Sequence, residues 1–143
     1  MTEQFQKRFG RNPEIVSRAP GRLEILGNHT DYNEGFVLSA AVGQATYVAM
    51  SKVAGKTCRL HNPAMGVDVS FDLDAIDTPV KGDWTNYVKG VLVELKRRGV
   101  AFSAFDAAIG SDVPLSAGMS SSAALEMAFC YALKGVCGIE LPK

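Results

Sequence analysis

An α+β domain is the expected fold, and three observations point to it. Runs with strand character crowd the stretch from Ile15 to Leu73, helical spacing dominates from Asp83 onward, and no linker, low-complexity tract or internal repeat divides the chain. Strands in bulk followed by helices fit α+β better than a regular βαβ winding. At 143 residues the chain is read as one domain, long enough to bury a substantial core.

The elements follow in order. Phe5 to Gly10 reads as the tail of a short amphipathic helix, stopped by glycine and then by Asn12-Pro13. Ile15 to Ala19 reads as a strand ended by Pro20-Gly21. After a polar segment, Phe36 to Ala41 and Val42 to Val53 read as strands around a turn. Thr57 to His61 and Val67 to Leu73 flank Asn62-Pro63-Ala64-Met65-Gly66, which is hairpin chemistry. Val67, Val69, Phe71 and Leu73 alternate with Asp68, Ser70, Asp72 and Asp74, so this strand is expected to be half buried with a wet acidic face.

Asp83-Trp84-Thr85 opens a helix with an apolar stripe of Val88, Val91, Leu92 and Leu95. Lys96, Arg97 and Arg98 stand in its last turn, and Gly99 follows, as charge and capping rules favour. Phe105 to Ile109 reads as a further strand. The last helix, about Ser122 to Lys134, is apolar nearly all round and is expected to be central and buried.

Composition excludes several partners. Fifteen basic residues balance fifteen acidic ones, which gives no electrostatic case for nucleic acid or an anionic membrane. No apolar run approaches the roughly 20 residues that span a bilayer. Met1 to Asn12 lacks the apolar core of a signal peptide, and Cys58, Cys130 and Cys137 have no metal-ligand spacing. A cytoplasmic protein with buried, reduced thiols is the expectation.

Two segments carry chemistry. Gly21 to Asn33 crowds Arg22, Asn28, His29, Asp31 and Asn33 together with Gly21 and Gly27 between two hydrophobic runs. So many directed hydrogen-bonding groups suggest a pocket for a small polar molecule. Histidine and aspartate suit hydroxyl groups, and an arginine suits developing negative charge. The segment reads as a sugar or polyol site.

Asp112 to Ala124 joins a strand to the last helix and contains Gly118-Met119-Ser120-Ser121-Ser122. Small residues let a ligand approach the backbone, and the first amides of a helix have no internal partner while the dipole adds positive charge. A phosphate docked there satisfies both, and a serine hydroxyl could complete the oxygen shell of Mg²⁺. The competing reading is a serine N-cap on a core helix. No Gly-Lys-Ser/Thr is present, so this is not a Walker loop.

Three blocks together resemble a known family. Arg18-Ala-Pro-Gly-Arg22-Leu-Glu-Ile-Leu-Gly-Asn-His-Thr-Asp-Tyr-Asn33 is similar to the galactokinase signature. Pro114 to Ala124 resembles the phosphate-binding motif of the wider GHMP kinase superfamily. Trp84-Thr-Asn-Tyr-Val-Lys-Gly90 is a third galactokinase-like block in the expected order. The resemblance implies a domain like the second domain of ribosomal protein S5, with residues 1–143 forming a GHMP kinase N-terminal domain. It also implies ATP-dependent phosphorylation of galactose at the anomeric hydroxyl, with ATP and Mg²⁺ as cofactors. By the same resemblance, Arg22 lies beside the transferring phosphoryl group, while Asn28, His29 and Asp31 face the sugar. Gly118, Met119, Ser120, Ser121 and Ser122 cradle the phosphates, Ser121 contacts Mg²⁺, and Trp84 lies toward the nucleotide.

The chain also departs from that pattern. The family normally has glutamate where this chain has Asn28, which keeps an acceptor, adds donors and removes a charge. Another sugar, such as N-acetylgalactosamine or arabinose, therefore stays open, as does a non-catalytic sensor of galactose and ATP. Ser39-Ala40 stands where the family more often has Pro-Met. The family's catalytic aspartate lies downstream of the serine loop, beyond Lys143, and Asp112 is expected to end a strand rather than replace it. An N-terminal fragment that needs a C-terminal part, and is inactive alone, is the expectation.

Overall fold

The computed structural model describes residues 1–27, 31–115 and 117–140, with Asp31 described without its side chain. The elements run α1 (Thr2–Phe9), β1 (Ile15–Leu26), a 3-10 turn (Asp31–Asn33), β2 (Leu38–Lys52), β3 (Thr57–Asn62), β4 (Val67–Asp72), a second 3-10 turn (Leu73–Ala75), α2 (Thr85–Arg97), β5 (Phe105–Ser111) and α3 (Ser121–Cys137). The strands form one five-stranded sheet in the order β1-β2-β5-β3-β4. β5 lies antiparallel to β2 and parallel to β3. This is the expected α+β architecture.

Alternation along the inner strands divides the core. Val48 and Met50 of β2, with Phe105, Ala107 and Ile109 of β5, face the layer formed by α2 and α3. Ala49 and Ala108, between them in sequence, face the other way and meet Phe5 of α1. β5 is therefore buried on both faces. Phe105 and Phe129 pack edge to face at 5.2 Å between ring centroids, and truncating either to alanine removes about 3–5 kcal/mol. α1 ends where expected, with Gly10 at φ 72° and its N–H donating to the Gln6 carbonyl.

Three expectations are corrected. β1 does not stop at Pro20-Gly21 but runs on to Leu26, into the segment read as a polar site. The pairing Pro20↔Ala45 is followed by Arg22↔Ala41, so the dipeptide marks a bulge rather than an end. β1 is an edge strand, where the missing proline N–H costs no ladder bond. On the partner side, Leu38 to Lys52 is one strand of 15 residues, with no turn near Val42. α3 is buried on one face only: Ala124, Ala128, Phe129, Ala132, Leu133 and Val136 are inside, whereas Met127 and Tyr131 are about half exposed.

The hairpin of β3 and β4 and the stripe of α2 follow expectation, with Val88, Leu92 and Leu95 buried and Val91 packed beside them. Cys58 is buried, and that burial pushes its thiol up to about 12. Cys130 and Cys137 are free and only partly buried. Among the described residues, no helix is long and apolar enough to cross a membrane.

Candidate functional site

The two chemical segments meet at the backbone. The bulge after Pro20 turns β1 toward the serine loop, and the Arg22 amide donates to the Met119 carbonyl at 3.0 Å. Gly21 makes the approach feasible: a Cβ there would stand 2.8 Å from the Met119 carbonyl oxygen and 3.1 Å from Val42 Cγ2. The Arg22 side chain is 48% exposed, and its Nη1 donates to Glu24 Oε2 at 2.8 Å. Strand alternation puts residues 22 and 24 on one face. Opposite them, Ser39 pairs with Glu24 in the β1–β2 register, and its hydroxyl donates to the same Oε2 at 2.7 Å.

The serine loop enters α3 through a strained turn. Gly118 takes φ 70°, and Ser120 takes φ 55°, ψ 43°, a left-handed conformation that a side chain adopts at some cost. Ser120 occupies the N-cap position, yet its side chain makes no capping hydrogen bond. The N-cap reading of the serines is therefore not realised at this position. Ala124 N–H closes the first turn onto the Ser120 carbonyl, so the amides of Ser121, Ser122 and Ala123 come before the helical ladder begins. Amides and a hydroxyl without a partner among the described residues, at a helix start, form an arrangement that accepts an anion.

The loop lies between two cavities. On one side, about 340 Å³ is lined by Arg18, Arg22, Ser120, Met127 and Tyr131. On the other, about 190 Å³ is lined by Met65, Trp84, Tyr87, Leu115, Ser121 and Ser122. Trp84 thus shares an apolar hollow with two of the serines. A larger cavity of about 770 Å³ lies between α2 and α3, beside Val91, Leu95, Glu126 and Cys130, and touches neither segment. Convergent polar groups, not size, mark the candidate site. Asp112 ends β5 as expected, with its Oδ1 accepting from the Ala45 amide at 2.5 Å. Asn28 and His29 lie outside the described residues, and so does the Asp31 side chain.

Comparison with known proteins finds two family models that match successive parts of the chain. The model described as the galactokinase galactose-binding signature matches residues 3–52, and that of the GHMP kinases N terminal domain matches residues 86–143. The chain is similar to the N-terminal portion of galactokinases. A galactokinase of Roseiflexus sp. (strain RS-1) is 40% identical over 131 residues, which is 92% of this chain and 33% of that protein. One of Chloroflexus aggregans is 42% identical over 127 residues, 89% of this chain and 33% of its own length. The crystal structure of Lactococcus lactis galactokinase complexed with galactose superposes with a TM-score of 0.88 at 33% identity, covering 99% of this chain and 37% of that one. Methanococcus jannaschii mevalonate kinase shares the fold, with a TM-score of 0.76 at 18% identity. The chain spans about a third of the length of the curated relatives it matches.

Within this chain, sequence reasoning missed Glu24 and the role of its cross-strand partner Ser39. The period-2 spacing of Arg22 and Glu24 was available as a signal once β1 was carried through Pro20. The cross-strand pairing with Ser39 was not, because it depends on the bulge.

Proposed function

We propose that the full-length protein carrying this chain transfers the γ-phosphoryl group of ATP to the anomeric hydroxyl of galactose. The observation that carries this is the 3.0 Å hydrogen bond from the Arg22 amide to the Met119 carbonyl, which fixes the sugar segment against the phosphate loop. Phosphoryl transfer depends on positioning and on neutralising charge spread over the equatorial oxygens. In this reading, the adenine side of ATP enters the hollow beside Trp84, and its phosphates reach the amides of Ser120 to Ser122. Arg22 faces the moving phosphoryl group from the far side of the loop, while Asn28, His29 and Asp31 hold the sugar. The general base comes from the part of the protein outside this chain.

The residues present fit ATP and its metal. Among the described residues no cluster of three or more His, Cys, Asp or Glu could hold a metal ion by itself. Mg²⁺, however, commonly uses one or two protein ligands with phosphate oxygens, and the Ser121 hydroxyl would be such a ligand. When bound, the ion supplies positive charge to the phosphates. Asn28, in place of glutamate, favours testing N-acetylgalactosamine and arabinose beside galactose.

ADP release by the full-length protein, measured with these three sugars, tests the reading. Turnover is expected with galactose, and Arg22→Ala is expected to lower kcat by roughly 10²–10³, the range for losing one preorganised donor. Full activity of Arg22→Ala, or no preference for galactose, would overturn it.

A further inference from the structure

We propose that Glu24 and Ser39 are positioning residues for Arg22: together they set which edge of the guanidinium faces the transferring phosphoryl group. The inference rests on the reading of Arg22 given above. Three observations carry it. First, a single carboxylate oxygen, Glu24 Oε2, accepts from both Arg22 Nη1 (2.8 Å) and the Ser39 hydroxyl (2.7 Å). Second, the other oxygen, Oε1, is shielded from solvent and has no hydrogen-bond partner among the described residues. A buried carboxylate oxygen left unpaired is destabilising, so stability alone does not account for this carboxylate. Third, the backbone of Arg22 is already tied to the serine loop through Met119, so the side chain is the only part left to place.

The geometry says what the pair achieves. Arginine presents five N–H donors in a planar fork, and pinning one of them fixes the orientation of the rest. Glu24 takes Nη1, and no described residue accepts from Nε or Nη2. That edge is left for an anion, in the two-donor arrangement that suits phosphate oxygens. Glu24 itself is set from across the ladder. Ser39 is its direct register partner, and the single O–H donor chooses the oxygen that Arg22 shares. The departure Ser39-Ala40 thereby gains a role, because the residue more usual at position 39, proline, has no donor to offer.

The test uses the full-length protein, with steady-state kinetics and thermal midpoints for Arg22→Ala, Glu24→Gln, Ser39→Ala and the double variant Arg22→Ala/Glu24→Gln. Glu24→Gln is expected to lower kcat about tenfold, less than the roughly 10²-fold that gross misplacement brings, while the galactose KM and the midpoint stay close to wild type. Ser39→Ala, which leaves both charged partners in place, is expected to show a smaller fall of the same kind. The double variant should be no slower than Arg22→Ala alone, since Glu24 acts only through Arg22. If Arg22→Ala is crippled while Glu24→Gln and Ser39→Ala keep wild-type kcat, or if the two losses multiply in the double variant, the positioning role is overturned and the kinase reading stands. If Arg22→Ala is itself fully active, the kinase role of Arg22 falls and the inference falls with it.

Discussion

Arg59 grips Asp106 through both carboxylate oxygens, Nε to Oδ1 at 2.7 Å and Nη2 to Oδ2 at 2.6 Å. The two residues are register partners on the parallel strands β3 and β5. Arg11, just past α1, adds a third bond to Oδ2 at 2.9 Å, so a wholly buried carboxylate ties the N-terminal helix to the centre of the sheet. Burial pushes the Asp106 carboxyl up, but hydrogen bonds from Arg59 and Arg11 outweigh it and hold the group below the usual range.

A pH dependence follows. A carboxyl whose folded pKa lies below its unfolded value of about 3.9 stabilises fully above that value, and the contribution is lost as pH falls through the folded pKa. Asp106→Asn is expected to lower stability at pH 7 by about 1–3 kcal/mol, the range for hydrogen bonds to a charged group. It should also lose less than wild type on acidification below about pH 4. Urea midpoints for the two proteins between pH 7 and pH 3 check this, and parallel curves would refute it.

Gly21 is a position where strand and loop approach closely. Alanine there would put a Cβ 2.8 Å from a backbone oxygen, which cannot swing away as a side chain can. Gly21→Ala is expected to destabilise by about 1–3 kcal/mol, as overpacking does, and to weaken ATP binding because Met119 must move. Denaturant midpoints and nucleotide titration of the full-length protein measure both. Unchanged ATP affinity would show that the contact does not set the loop.

Ser120 offers a test of the strained turn. At φ 55° glycine carries no Cβ penalty, so Ser120→Gly is expected to leave stability equal or raise it by about 0.5–1 kcal/mol. A β-branched residue fits that region poorly, and Ser120→Val should destabilise and weaken ATP binding. Thermal midpoints rank the three proteins, and Ser120→Val at or above wild type would contradict the assigned conformation.

The sequence made most of the fold legible, for a physical reason. The β4 alternation, the α2 stripe with Gly99, and the Gly10 stop each follow from local periodicity and capping, and each lies where expected. What was not legible depended on tertiary context. Pro20-Gly21 reads as a terminator in isolation but becomes a bulge, because β1 has an open edge and β2 continues opposite it. The apolar surface of α3 implied burial all round, yet the sheet and α2 cover only one side. In the site, Arg22 and the serine loop could be named from residue type and motif. That their backbones meet at Met119, and that Glu24 holds Arg22, required the bulge to be known.

The last prediction concerns the 143-residue chain alone. A phosphoryl acceptor needs its hydroxyl proton removed, and a base must lie within hydrogen-bond reach of it. Two acidic side chains described near the serine loop and Arg22 are already engaged. Asp112 accepts from the Ala45 amide, and Glu24 accepts from Arg22 and Ser39. Positioning without a base leaves charge stabilisation but no route for the proton. The purified chain is therefore expected to form no sugar phosphate above the level of its own Arg22→Ala variant, whereas the full-length protein is expected to turn over. Sugar phosphate made by the isolated chain and lost on Arg22→Ala would mean that a group within these residues serves as base, and would move the search to Asp31.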